Sequence, residues 1–235
     1  MRNTLALYQN ELRHYFRSPI AYFVVAVFLI GTGYFFTYNV FQTGIATMNE
    51  TLQNMGILLL LVSPMISMRL FSSEYRAGTM ELLQTLPLRT WELVLGKFLG
   101  AISILLLMTG ATLIDLIPLY LYGEPETSTI VCGYLGFILL GMACLAVGQL
   151  FSALTENQIV AALLTVSVLL GFWFVGHLVT FQNQYVMRFI VSHLSFAVHF
   201  GEFIQGLLRS ESVAYYGLII AGSLFLNARY FDWRR

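Results

Sequence analysis

The chain has 235 residues, of which 58% are hydrophobic and only 10% charged, and its mean hydropathy is +0.76. A soluble domain carries roughly 25% charged residues, so this composition excludes a water-covered globule and places the chain in lipid. Basic and acidic residues balance at 12 each, so no global charge draws the chain to nucleic acid, and only the positions of the charges are informative.

Residues 4–17 read as an amphipathic helix. Leu5, Tyr8, Leu12 and Phe16 recur at three- and four-residue spacing, while Gln9, Asn10, Arg13 and Arg17 fall largely elsewhere. Such a helix lies in a membrane interface with its apolar stripe in lipid. Ser18-Pro19 ends it, because proline disfavours helix in the residue before it. Residues 1–18 are too polar for a cleavable leader.

A spanning helix needs about 20 mainly apolar residues. Six segments qualify, at about 20–39, 55–72, 97–121, 131–153, 158–180 and 213–230. The second is short and carries Pro64, which predicts a kink. The last ends near Asn227 and Arg229. Six spans put both termini on one side. With the N-terminus inside, Arg2, Arg13, Arg17, Arg69, Arg76, Arg89, Lys97, Arg229, Arg234 and Arg235 fall inside, and only Arg188 and Arg209 outside. This bias predicts cytoplasmic termini.

A charged island at residues 73–96 follows the second span. Ser72 or Ser73 is predicted to cap a helix with Glu74 in its first turn. Met80, Leu82, Leu83 and Leu86 supply its apolar contacts, and Pro87 ends it. Thr90 is predicted to cap the helix that leads into the third span, with Glu92 in its first turn. Gly96 and Gly100 form a Gly-x-x-x-Gly that permits close helix approach. The small residues of the fourth span, among them Gly133, Gly136, Gly141, Cys144 and Gly148, predict tight packing. The outer segment 181–212 is too apolar for a solvated loop and too interrupted for a span. Two short amphipathic helices dipping into the outer leaflet fit it; a loop packed on the spans is the alternative.

Chemistry is sparse. Gly96-Lys97 is followed by Phe98, and Trp91 stands where a P-loop needs its first glycine, so no recognised ATP-binding loop exists. H-E-x-x-H and G-x-S-x-G are absent too. No catalytic, cofactor-binding or metal residue is assigned, and the chain is not expected to be an enzyme by itself. His193, His199 and Glu202 share one segment, but their spacing matches no common metal site. Cys132 and Cys144 lie on one helix roughly 18 Å apart and read as packing residues. Asp115 is the only acid inside an apolar run, which raises a role in transport or gating. It has no basic residue within those runs to pair with, and it stands three residues before Pro118.

The island also carries a motif. Glu74, Gly78-Thr79, Glu81-Leu82-Leu83, Pro87 and Gly96-Lys97, between spans two and three, resemble the pattern of the type-2 family of ABC transporter permeases. The resemblance extends over the N-terminal helix, the spans and the apolar outer segment, so it covers nearly the whole chain. Its short length and lack of a large outer domain are most similar to the permease subunit of gliding-motility-type ABC exporters, with the permeases of nitrous-oxide reductase maturation a near alternative.

The resemblance implies an all-α membrane fold of six transmembrane helices in one permease domain, 1–235. Residues 4–17 would form an elbow helix and residues 74–86 a coupling helix docked on a separate ATPase. Glu74, Arg76, Gly78, Thr79, Met80, Glu81, Leu83 and Pro87 would contact or shape that dock. A second permease chain, two ATPase copies and an accessory membrane or extracytoplasmic subunit would complete the complex, in a bacterial inner membrane. ATP and Mg would enter through the ATPase. A standalone channel or secondary transporter, or a membrane assembly factor, are the competing readings. The cargo is not legible, although the apolar outer segment and close-packed helices fit a narrow path or a lipid-like substrate.

Overall fold

The computed structural model describes residues 2–43, 47–80, 89–178 and 193–234, and helices are the only regular elements among them. They are α1 (Arg2–Arg17), α2 (Pro19–Thr43), α3 (Asn49–Ser67), α4 (Arg69–Ala77), α5 (Thr90–Thr112), a 3-10 turn (Leu113–Asp115), α6 (Leu116–Tyr122), α7 (Thr127–Leu154), α8 (Gln158–Leu178), α9 (Phe196–Ile204) and α10 (Ser210–Arg234). Among the described residues, five stretches are long and apolar enough to cross a membrane: Pro19–Val40, Asn49–Ala77, Thr90–Tyr122, Thr127–Leu154 and Gln158–Gly176. Helix α10 has 25 residues, long enough to cross. Glu211, Asn227, Arg229 and Asp232 dilute its apolar content, and it is not one of the five.

The second stretch is longer than the expected 55–72. It starts at Asn49, breaks at Met68 and resumes as α4 to Ala77. Pro64 lies inside α3 and supplies no N–H, yet the interruption falls four residues later. A helix restarting there leaves N–H groups without partners, and lipid offers no water to satisfy them. Ser152 of α7 resolves this. Its hydroxyl oxygen accepts from the N–H groups of Phe71 and Ser72 at 3.0 and 3.1 Å and donates to the Met68 carbonyl at 2.8 Å.

Ser72 and Ser73 do not start a helix as expected. They sit inside α4, where their hydroxyls donate to the carbonyls of Met68 and Arg69 one turn back. The helix has already restarted at Arg69, and extending it is easier than nucleating another at Ser72. Gly78 is the stop. Its φ of +68° is left-handed backbone, and its N–H donates to Tyr75 O at 3.1 Å.

Helix α7 is the centre of the bundle, with α3, α5, α8, α9 and α10 packed around it. Its glycines are sockets. A Cβ at Gly133 would lie 2.5 Å from Leu52, at Gly136 2.4 Å from Phe203, and at Gly141 2.6 Å from Leu105. The small residues therefore serve close packing, as expected, and Cys132 and Cys144 are buried free thiols within the same helix.

One partner in that packing follows the alternative reading of the outer segment, packed on the spans, but as a helix rather than a loop. Of the segment 181–212, residues 181–192 lie outside the described residues. The helix that follows, α9, does not lay its apolar face in the leaflet. Phe196, Phe200 and Phe203 are fully buried among Phe137, Trp173 and Tyr216. The Tyr216 hydroxyl donates to Phe196 O at 3.0 Å. Three aromatics spaced over two helical turns find glycine sockets at Gly56 and Gly136, and burial there forms more contacts than lipid would offer.

Candidate functional site

The charged residues of the island meet at one end of the bundle, where α1, α4 and α5 converge. Helix α1 has three faces. Arg13, Arg17, Gln9 and Asn10 are exposed and polar, and Leu5 and Phe16 are exposed and apolar. A third face, with Thr4, Leu7, Glu11 and Tyr15, lies against α5 or α3. Gly96 and Gly100 make this possible. A Cβ at either would lie 2.8 Å from Cβ of Leu7 or Glu11, respectively. The Gly-x-x-x-Gly therefore receives α1, rather than joining two spans.

Between those glycines stands Lys97, whose side chain is only 2% exposed. An ammonium this deep needs anionic partners. It has two: Glu11 Oε1 at 2.5 Å and Glu74 Oε1 at 3.3 Å. The Phe71 ring adds a cation–π contact at 5.5 Å. Glu74 lies in the last two turns of the second stretch, on α4. The Thr79 hydroxyl donates to Glu74 Oε2, so this carboxylate is held from two sides.

Further bonds fix the same junction. The Tyr15 hydroxyl donates to Ile66 O at 3.2 Å, and Arg69 Nη1 donates to Ser18 Oγ at 2.6 Å. Thr90 is the first residue of α5, rather than its cap; Arg89 precedes it, with its N–H donating to Glu92 Oε2 at 3.2 Å. The Thr90 hydroxyl donates to Asp232 Oδ1 at 2.5 Å, tying α5 to α10. Gln149 of α7 donates to Val94 O at 2.9 Å. The end of the second stretch, the start of the third and the N-terminal helix are therefore bonded into one unit.

A family model described as ABC-2 family transporter protein matches residues 5–221. The chain belongs to the ABC-2 transporter family. No curated protein matches it. Membership makes this ABC-2 chain a membrane component of an ABC transporter and implies an ABC ATPase partner. The match begins in α1 and ends in α10, so the Lys97 junction lies wholly inside it.

The motif residues of this ABC-2 protein divide by accessibility. Arg76 is exposed and lines a recess of about 550 Å³ with Glu156, Asn157, Gln158 and Ile159. Gly78 is exposed at the helix stop. Glu74 is bonded to Thr79 and to Lys97, and Met80 is 4% exposed, packed within the chain. Glu81, Leu83 and Pro87 lie outside the described residues.

Asp115 closes the 3-10 turn between α5 and α6, half-buried, with no ion-pair partner among the described residues. Pro118 cannot donate to the Ile114 carbonyl, which accounts for the interruption there. His193, His199 and Glu202 do not converge as metal ligands, and the described residues hold no cluster of three such groups. His199 Nε2 faces the His193 carbonyl at 3.3 Å and Nδ1 faces Ser212 Oγ at 2.9 Å. Glu202 pairs with Arg209 at 2.9 Å. Two participants had not been singled out in the sequence. Glu11 carried one signal, as the only acid on an amphipathic helix; Ser152 carried none.

Proposed function

We infer that the chain is the membrane-spanning permease subunit of an ATP-binding-cassette exporter of the gliding-motility type, working with a separate ATPase that binds the ATP and Mg. The reading takes α10 as a sixth span, the α1 end as cytoplasmic, and a bacterial inner membrane as the location. Two permease chains with two ATPase chains form the complex, joined by an accessory subunit. The segment from Arg76 through Pro87 docks on the ATPase, with α1 as the elbow helix.

The observation that carries this reading is the family match over residues 5–221, combined with the bonded junction at Lys97. A force applied to the segment after Gly78 has a rigid route into two membrane helices. It enters α3 through α4, and α5 through Glu74–Lys97. The accessible motif positions Arg76 and Gly78 are where a docked partner would press.

The test is purification of the full chain with its ATPase, followed by paired measurement of ATP hydrolysis and transport in proteoliposomes. Glu81→Arg and Gly78→Pro should leave hydrolysis measurable while transport falls. Proline cannot adopt the +68° φ of Gly78. Retained coupling in both variants, or failure of any ATPase to co-purify, overturns the reading.

A further inference from the structure

At the bend between α1 and α2 lies a recess of about 480 Å³. Arg13, His14, Arg17 and Arg69 line it with Ser18 and Pro19, and no acidic residue does so among the described residues. Arg13 and Arg17 have no ion-pair partner among those residues. The carboxylates of Glu11 and Glu74 face a neighbouring recess, where Lys97 holds them. The bond from Arg69 to Ser18 at 2.6 Å aims one guanidinium at the bend before any ligand arrives, which lowers the ordering cost of binding.

The wall of this recess continues into lipid. Pro19, Phe23, Ala26 and Ile30 fall on one helical face. Phe23 is 60% and Ile30 73% exposed, so this face of α2 has no protein cover among the described residues. A soluble phosphate would fill only the cationic end. A molecule with a phosphate head and acyl chains would fill both.

We propose that the α1–α2 bend is a binding site for an anionic phospholipid, with the phosphate headgroup held by Arg13, Arg17 and Arg69 and an acyl chain lying along Phe23 and Ile30 of α2. Guanidinium groups suit the phosphate because they donate in a planar fork. Basic pockets between membrane helices are suited to anionic headgroups for the same reason. The site stands whether or not the chain couples to an ATPase, so its test is separate from that of the transport reading.

The experiment presents the detergent-purified full chain with equal amounts of phosphatidylglycerol and phosphatidylcholine and counts retained lipid by native mass spectrometry. Phosphatidylglycerol should be retained over phosphatidylcholine by roughly tenfold or more, as two or three basic contacts allow. Arg13→Gln with Arg17→Gln should remove most of that preference, and the paired Lys variants should keep part of it. Both arginines are exposed, so an unchanged melting temperature is expected. If the double variant melts early, Phe23→Ser with Ile30→Ser decides alone by reducing retention without touching a charge. Equal retention of the two lipids, or a preference unchanged by these substitutions, overturns the site. Displacement of phosphatidylglycerol by millimolar inorganic phosphate assigns it to a free anion and overturns the lipid reading.

Discussion

Replacing Lys97 by Met tests whether the buried charge holds the junction together. The stem keeps its length and packing, and only the ammonium is lost. Glu11 and Glu74 are then left facing each other with side chains 14% and 25% exposed. Removing one partner of a fully buried pair costs about 3–5 kcal/mol. Partial exposure of both carboxylates screens some of this, so the expected loss is about 2–3 kcal/mol. For a chain of this size that lowers the melting temperature by about 4–12 °C. The triple variant Glu11→Gln, Lys97→Met, Glu74→Gln removes all three charges and should recover most of the loss. Thermal melting of the detergent-solubilised chain reads the first effect. Trypsin cleavage after Arg13 and Arg17 reads the second, because α1 is the element that Lys97 retains. A Lys97→Met variant that melts with the wild type, or a triple variant as unstable as the single one, would refute the reasoning.

Other positions extend the same logic. Ser152→Ala strips the acceptor from two buried N–H groups and should cost about 1–3 kcal/mol, seen as a lower melting temperature. Gly136→Leu places a side chain where Phe203 stands at 2.4 Å and should expel α9, exposing it to protease.

Much of the architecture was legible from hydropathy alone. Lipid solvation forces long apolar helices, so the positions of α2, α5, α7 and α8 follow from counting apolar residues. The helix ends were less legible. The break at Met68 depends on Ser152, 84 residues away, and no local pattern reports a hydroxyl that distant. The island was visible as charge and as a motif, but the direction in which each side chain points was not. The resemblance put Glu74 and Met80 at the ATPase dock; the buried Lys97 turns the first inward, and the second packs within the chain. The Gly-x-x-x-Gly announced a close approach without naming its partner. Only the third face of α1, set by Leu7 and Glu11, settles that.

The short helix α9 has a consequence for biogenesis. Its nine residues cannot cross a bilayer, so it cannot be inserted as a membrane segment in its own right. Its three phenylalanines fit only among side chains from α3, α7, α8 and α10, and α10 is the last of these to leave the ribosome. The complete set of contacts around this plug therefore waits for α10, in line with helices that associate after they are placed. Until α10 is in place, the site that receives Phe196 and Phe203 lacks the Tyr216 ring that packs against both.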